Sequence, residues 1–222
     1  MFYKNFMETI PLWVYGWLSL FSGTFIYNAI LYACYNVVFT AFPIIWFAVY
    51  DWEYNKVTLL KSPRLYYIGL ENVYFNSYTF WRWIFYAIWQ AALILTLSYY
   101  IYNEPNDVGK LNCMVSTGAF VFGSIVIVVN YKLFIASSQH SWIFTFIIVA
   151  SVASYFGVFL ILNSIPIYND FGTFEMLFSE PISYFALVFF TFSYVLIDAG
   201  AKFANNQINT WYLDRKERIT KN

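Results

Sequence analysis

From Thr9 to Tyr50 the chain runs for 42 residues without a formal charge. A membrane-spanning helix needs about 20 predominantly apolar residues to cross a hydrocarbon core about 30 Å thick, so this stretch has room for two. The remainder offers no soluble body to cover it. The 222 residues are 61% hydrophobic and only 11% charged, where a soluble domain carries about 25% charged residues. A soluble enzyme is therefore excluded. The apolar runs are continuous rather than alternating, which argues for helices and against a closed β-barrel. The expected fold is all-α, a polytopic membrane protein of six transmembrane helices, read as one domain over residues 1–222.

The break in the first long run falls at Ser22-Gly23-Thr24, where glycine and small polar residues suit a turn. That puts the second span at Ala29–Tyr50 and leaves only Thr9–Phe21 for the first. To cross, the first span must recruit residues 1–8 and carry Lys4 and Glu8 at membrane depth, or else begin upstream of Met1, so the N-terminus reads as cut into a helix. Four more spans follow at Trp83–Tyr102, Leu111–Tyr131 (running on to Ala136 past Lys132), Trp142–Leu162 and Pro181–Ile197. Polar loops are expected at Asp51–Arg82, Asn103–Lys110, Ser137–Ser141 and Asn163–Glu180, with a hydrophilic tail from Asp198.

Orientation follows from basic residues near the span ends. With six spans, one face holds Lys56, Lys61, Arg64, Arg82, Lys132, Lys202, Arg215, Lys216, Arg218 and Lys221, and the other holds Lys110 alone. Both termini are accordingly expected in the cytoplasm. Trp81, Trp83, Tyr99, Tyr100, Tyr102, Trp142 and Tyr184 sit at predicted span ends, as interfacial aromatic belts do.

Soluble-type chemistry is thinly represented. Twelve basic and twelve acidic residues balance, so no nucleic-acid partner is implied. One histidine, His140, rules out a multi-histidine metal site, and there is no Cys-x-x-Cys pair or glycine-rich phosphate loop. Cys34 and Cys113 lie in apolar stretches and read as free thiols.

Several segments resemble a known family. Phe2-Tyr3-Lys4-Asn5 is similar to the middle of the fifth membrane helix of the type-IV P-type ATPases, the lipid flippases, and Phe21-Ser22-Gly23 to the turn after it. Tyr35-Asn36-Val37-Val38-Phe39-Thr40-Ala41-Phe42-Pro43, followed by Asp51, resembles the sixth helix and its end. Leu65-Tyr66, Gly69, Phe75-Asn76 and Phe80-Trp81-Arg82-Trp83 resemble the loop into the seventh, and Val128-Val129-Asn130-Tyr131-Lys132 the end of the eighth. Thr24 and Ile197 depart from the glutamine and proline usual at those positions.

The resemblance implies a membrane-transport part equivalent to helices five to ten. It also implies a working protein that uses ATP and magnesium, moves phospholipid toward the cytoplasmic leaflet, and partners a two-span accessory beta subunit. The host membrane would be the plasma membrane, Golgi or endosomes. No Asp-Lys-Thr-Gly-Thr motif occurs in these 222 residues, so they alone would form no phosphoenzyme, and ATP and magnesium would belong to a missing half.

By the same resemblance, Lys4 and Asn5 match residues lining a lipid headgroup path, and Asn36, Thr40 and Pro43 lie on the helix beside it. On residue type alone, Lys4 is equally a snorkelling anchor, and Asn36 an interhelical hydrogen-bonding residue. Pro43 removes a donor and disturbs the carbonyl of Phe39 four residues back, a kink that lines a wet cavity or is absorbed by neighbours. Glu8 is one turn past Lys4, placed for an intrahelical ion pair. Asp51 and Glu53 read as solvated, and Gln90, Asn130, Ser137, Ser138 and His140 as packing or loop residues. Two other readings stand beside the flippase one: a truncated, non-catalytic six-span scaffold, and an independent carrier or channel. The last would need paired half-sequences and intramembrane carboxylates, which the chain does not show.

Overall fold

The computed structural model describes residues 2–52, 56–61, 77–102, 114–168 and 171–220. Most of the Asp51–Arg82 loop, with Arg64 and the motifs at Leu65-Tyr66, Gly69 and Phe75-Asn76, lies outside the described residues. So do the Asn103–Lys110 loop, Cys113 and the expected first residues of the span at Leu111. Among the described residues the chain is helical throughout, with no strand.

Helix α1 covers Phe2–Leu18. The second span is α2 (Ala29–Cys34), a π-helical turn (Tyr35–Phe39) and α3 (Ala41–Tyr50). A short α4 (Lys56–Lys61) precedes α5 (Ser77–Tyr102), α6 (Met114–Ala136) and α7 (Trp142–Asn163). Helix α8 (Thr173–Phe178) sits in the expected acidic loop, and α9 runs from Pro181 to Thr220. The backbone from Asp198 onward thus continues α9 as helix instead of forming a separate tail.

Five segments are long and apolar enough to cross a membrane: Ala29–Tyr50, Ser77–Tyr102, Met114–Ala136, Trp142–Asn163 and Pro181–Gly200. Helix α1 falls short of the sixth by this measure. Its 17 residues make about 25 Å at 1.5 Å each, and Lys4, Glu8 and Pro11 are on its buried face. The turn after it comes slightly early, with Leu20, Phe21 and Gly23 in the left-handed region at φ 51°, 54° and 79°.

Helix α6 is the hub. Every residue from Ser116 to Val126 is buried, and α1, α3, α5, α7, α8 and α9 all pack on it. Small residues make this possible. At Gly118 the Ile26 carbonyl oxygen would lie only 1.9 Å from an added Cβ, so a backbone-to-backbone approach is open to glycine alone. Around the hub, Tyr35, Phe39, Phe122 and Tyr155 interlock with ring centroids 5.5–5.9 Å apart, a spacing favoured by aromatic pairs. Large apolar side chains such as Trp13, Trp17, Phe146, Phe185 and Phe189 point outward, as a hydrocarbon solvent permits. Tyr102, expected in an interfacial belt, is instead buried and shares a 2.7 Å hydrogen bond with Ser183.

Local capping fixes the helix ends. Asn28 accepts from the Ile30 N–H at 2.8 Å at the start of α2, and Ser141 from the Phe144 N–H at 3.2 Å at the start of α7. Asp51, expected to be solvated, is half-buried and acts as a clamp. Its Oδ1 accepts from the Ser137 hydroxyl and from the Ser138 and Gln139 N–H groups at 2.9–3.0 Å, tying the end of the second span to the α6–α7 turn. Cys34 is a free, half-buried thiol.

Candidate functional site

Lys4 is 7% exposed, inside the bundle, and its Nζ donates to Thr40 Oγ1 at 2.8 Å. A hydroxyl has one hydrogen to give and two lone pairs to receive. Thr40 gives its hydrogen to the Tyr35 carbonyl at 2.8 Å, five residues back, which leaves its lone pairs for the lysine. The Tyr35 hydroxyl in turn donates to the Lys4 carbonyl at 2.9 Å, and the Lys4 ammonium stands 5.9 Å from the Tyr35 ring centroid. The π-helical turn therefore has a local function: its displaced carbonyl, the Thr40 hydroxyl and Lys4 form one closed set.

Pro43 is expected to disturb the helix at the Phe39 carbonyl, four residues back, and the irregularity lies there, at Tyr35–Thr40, while Pro43 itself is buried in the first turn of α3, where a missing N–H is tolerated. The Phe39 carbonyl, which a residue-43 N–H would have met, accepts from Asn130 Nδ2 at 3.0 Å.

Glu8 and Lys4 do not pair. Glu8 is 3% exposed and its Oε2 accepts from Asn36 Nδ2 at 3.3 Å. The sequence-expected residues thus fall into two contacts, Lys4 with Thr40 and Asn36 with Glu8. Asn5 joins neither; it is exposed on another face of α1, and its carbonyl accepts from Thr9.

A cavity of about 360 Å³ opens beside Lys4. Phe80, Trp83 and other apolar side chains from α1, α3, α5 and α6 form most of its wall, with Lys4, Thr40, Thr79, Asn130 and Lys132 as the polar minority. A mostly apolar wall with a few convergent polar groups is the usual make-up of a small-molecule site. Of the two ammonium groups, Lys132 is paired with Asp198, and Lys4, held by a neutral hydroxyl, is the one that favours an anionic guest.

Lys132 heads a second cluster that sequence reasoning did not assemble. Its Nζ donates to Asp198 at 3.1–3.2 Å and to Gln90 Oε1 at 3.2 Å. The same Gln90 oxygen accepts from the Tyr3 hydroxyl, and the Gln90 carbonyl accepts from Tyr194 at 3.0 Å. The ammonium also lies 4.3–5.2 Å from the ring centroids of Tyr3, Trp83 and Tyr86, within reach of cation–π attraction. Lys132 and Asp198 are each a lone charge near the same end of an apolar run, and that opposition is the signal that could have paired them. Among the described residues no three His, Cys, Asp or Glu side chains come together as a metal site. Magnesium takes oxygen ligands such as carboxylates, and the cavity's two ammonium groups do not fit it.

Residues 1–211 match the family model described as phospholipid-translocating P-type ATPase C-terminal. The chain is 26% identical over 178 residues to phospholipid-transporting ATPase 6 of Arabidopsis thaliana, covering 79% of this chain and 14% of that protein. It is 30% identical over 156 residues to phospholipid-transporting ATPase 11C of Mus musculus, covering 69% and 14%. With phospholipid-transporting ATPase DNF2 of Saccharomyces cerevisiae it shares 27% over 195 residues, 85% and 12% of the two chains. The match is therefore confined to a small part of each relative's length. The chain belongs to the family of C-terminal membrane regions of phospholipid-translocating P-type ATPases.

Proposed function

We propose that this chain is the C-terminal membrane-transport part of an ATP-driven phospholipid translocase. It forms a single domain over residues 1–222, with α1 as a sixth crossing helix, and both termini cytoplasmic. Lipid moves from the exoplasmic to the cytoplasmic leaflet. The carrying observation is the buried Lys4 ammonium, held by a neutral hydroxyl at the wall of a largely apolar cavity. A charge at membrane depth is costly and is retained where it pairs or faces a polar path. Thr40 neutralises none of that charge, so a phosphate or carboxylate is the natural partner. In this reading Lys4 and Thr40 are the centre of the path wall, Asn36 and Pro43 flank Thr40 on the second span, and Asn5, on another face of α1, stands outside the cavity.

In this reading ATP and magnesium are used by cytoplasmic domains of a longer protein, and helix movements carry their work to the path. A two-span accessory beta subunit accompanies it in the plasma membrane, Golgi or endosomes. The distribution of basic residues supports the orientation.

The transcript upstream of Met1 tests this reading. An in-frame segment joined to this one and carrying Asp-Lys-Thr-Gly-Thr is the expected result. A stop codon with no splice joining would overturn it in favour of a non-catalytic scaffold.

A further inference from the structure

On the facing surfaces of α1 and the second span, four polar residues pair in antiparallel order. Lys4 meets Thr40, and one turn farther along α1 Glu8 meets Asn36, one turn earlier on its own segment. The first rung is satisfied; the second is not. Glu8 Oε2 receives one bond at 3.3 Å from a neutral amide, longer than the usual range of about 2.7–3.2 Å. Glu8 Oε1 is buried and has no hydrogen-bond partner among the described residues. A carboxylate out of water without partners is costly, and the nearest remedy in sequence, an ion pair with Lys4, is not made.

We propose that Glu8 is a specificity-determining residue of the lipid path: its unpartnered carboxylate oxygen takes the protonated amine of a headgroup whose phosphate is held at Lys4. The proposal rests on the reading of Lys4 as part of that path. Four residues of helix separate the two charges by about 6 Å along the axis, and a zwitterionic headgroup presents its phosphate and amine across a short carbon spacer. An ammonium brings three donors and a full charge where the Asn36 amide brings one neutral bond. Asn36 is exposed at the rim of the pair, so it can yield without the helices parting. A headgroup with phosphate but no cationic amine would satisfy Lys4 and meet Glu8 as a like charge, which supplies discrimination by repulsion as well as by attraction.

The chain purified in detergent would be titrated with phosphatidylethanolamine and with its N-acetylated form, and bound lipid read by native mass spectrometry. Wild type is expected to prefer the free amine by about tenfold, one decade of affinity, and Glu8→Gln to abolish that preference while leaving the N-acetylated lipid bound at least as well. Equal binding of the two lipids by wild type overturns the proposal, as does a preference that survives Glu8→Gln. Should Glu8→Gln fail to fold, the comparison on wild type decides. Lys4→Gln separates the two levels: weakened binding of both lipids upholds the path reading whatever Glu8 does, and unchanged binding of both removes it.

Discussion

The Asn130 side-chain amide donates to the Phe39 carbonyl at 3.0 Å and to the Val126 carbonyl at 2.9 Å. A residue on α6 thus supplies the donor that Pro43 removed from the second span, 91 residues away in sequence. Asn130→Leu keeps the volume and strips the amide, leaving the Phe39 carbonyl buried and unpaired. The expected cost is about 1–3 kcal/mol, seen as a lower midpoint of thermal unfolding in detergent, with Asn130→Gln a partial rescue.

The Lys132–Asp198 pair lends itself to a double-mutant cycle. Its side chains are 9% and 14% exposed. Removing one partner leaves the other charge stranded, at about 3–5 kcal/mol for a fully buried pair and less here, at the edge of the membrane. Lys132→Met alone is expected to lower the unfolding midpoint clearly. Adding Asp198→Leu should recover most of the loss, and additive losses in the cycle would show that the pair is not coupled.

Thr40 separates hydroxyl from methyl. Thr40→Val leaves both Lys4 Nζ and the Tyr35 carbonyl without their bond, whereas Thr40→Ser retains both. Stability is expected to fall by about 1–3 kcal/mol for valine and little for serine. Thermal unfolding of the two variants side by side provides the check.

Two glycines in helices should respond in opposite directions. Gly118→Ala places a methyl group 1.9 Å from the Ile26 carbonyl oxygen, which must drive α6 from the 24–28 segment, and the expected result is poor recovery of monodisperse protein by size-exclusion chromatography. Gly157→Ala on α7 meets nothing within 4 Å. It should be tolerated or gain up to about 1 kcal/mol from helix propensity.

The spans were legible because an apolar run of membrane length leaves the backbone few choices. The Ala29–Tyr50 and Pro181 boundaries follow directly from charge and proline. Lys4 and Thr40 could be singled out from the motifs that hold them, but not their contact, since nothing in the spacing reports a π-helical turn. The Lys4–Glu8 pair failed because facing residues on the second span offered each side chain another partner. Gln90 and Asn130 were passed over for a related reason. Their partners lie 42 and 91 residues away, and only tertiary packing brings them close. Asp51 looked like a solvated loop residue because its three partners belong to a turn between other helices.

The π-helical turn at Tyr35–Phe39 has one further consequence. A turn closed five residues back instead of four carries one residue more than an α-helix needs, and each residue advances a helix by about 100°. Because the wide turn takes up that extra residue locally, deleting one residue from it would let the second span close as an uninterrupted α-helix with α3 facing nearly as before, and the Thr40 hydroxyl would then meet a carbonyl four residues back instead of five. The meeting of Thr40 with the Lys4 ammonium therefore has one residue of slack in the segment before Thr40, and a second deletion beyond it would turn the whole face of α3 by about 100°.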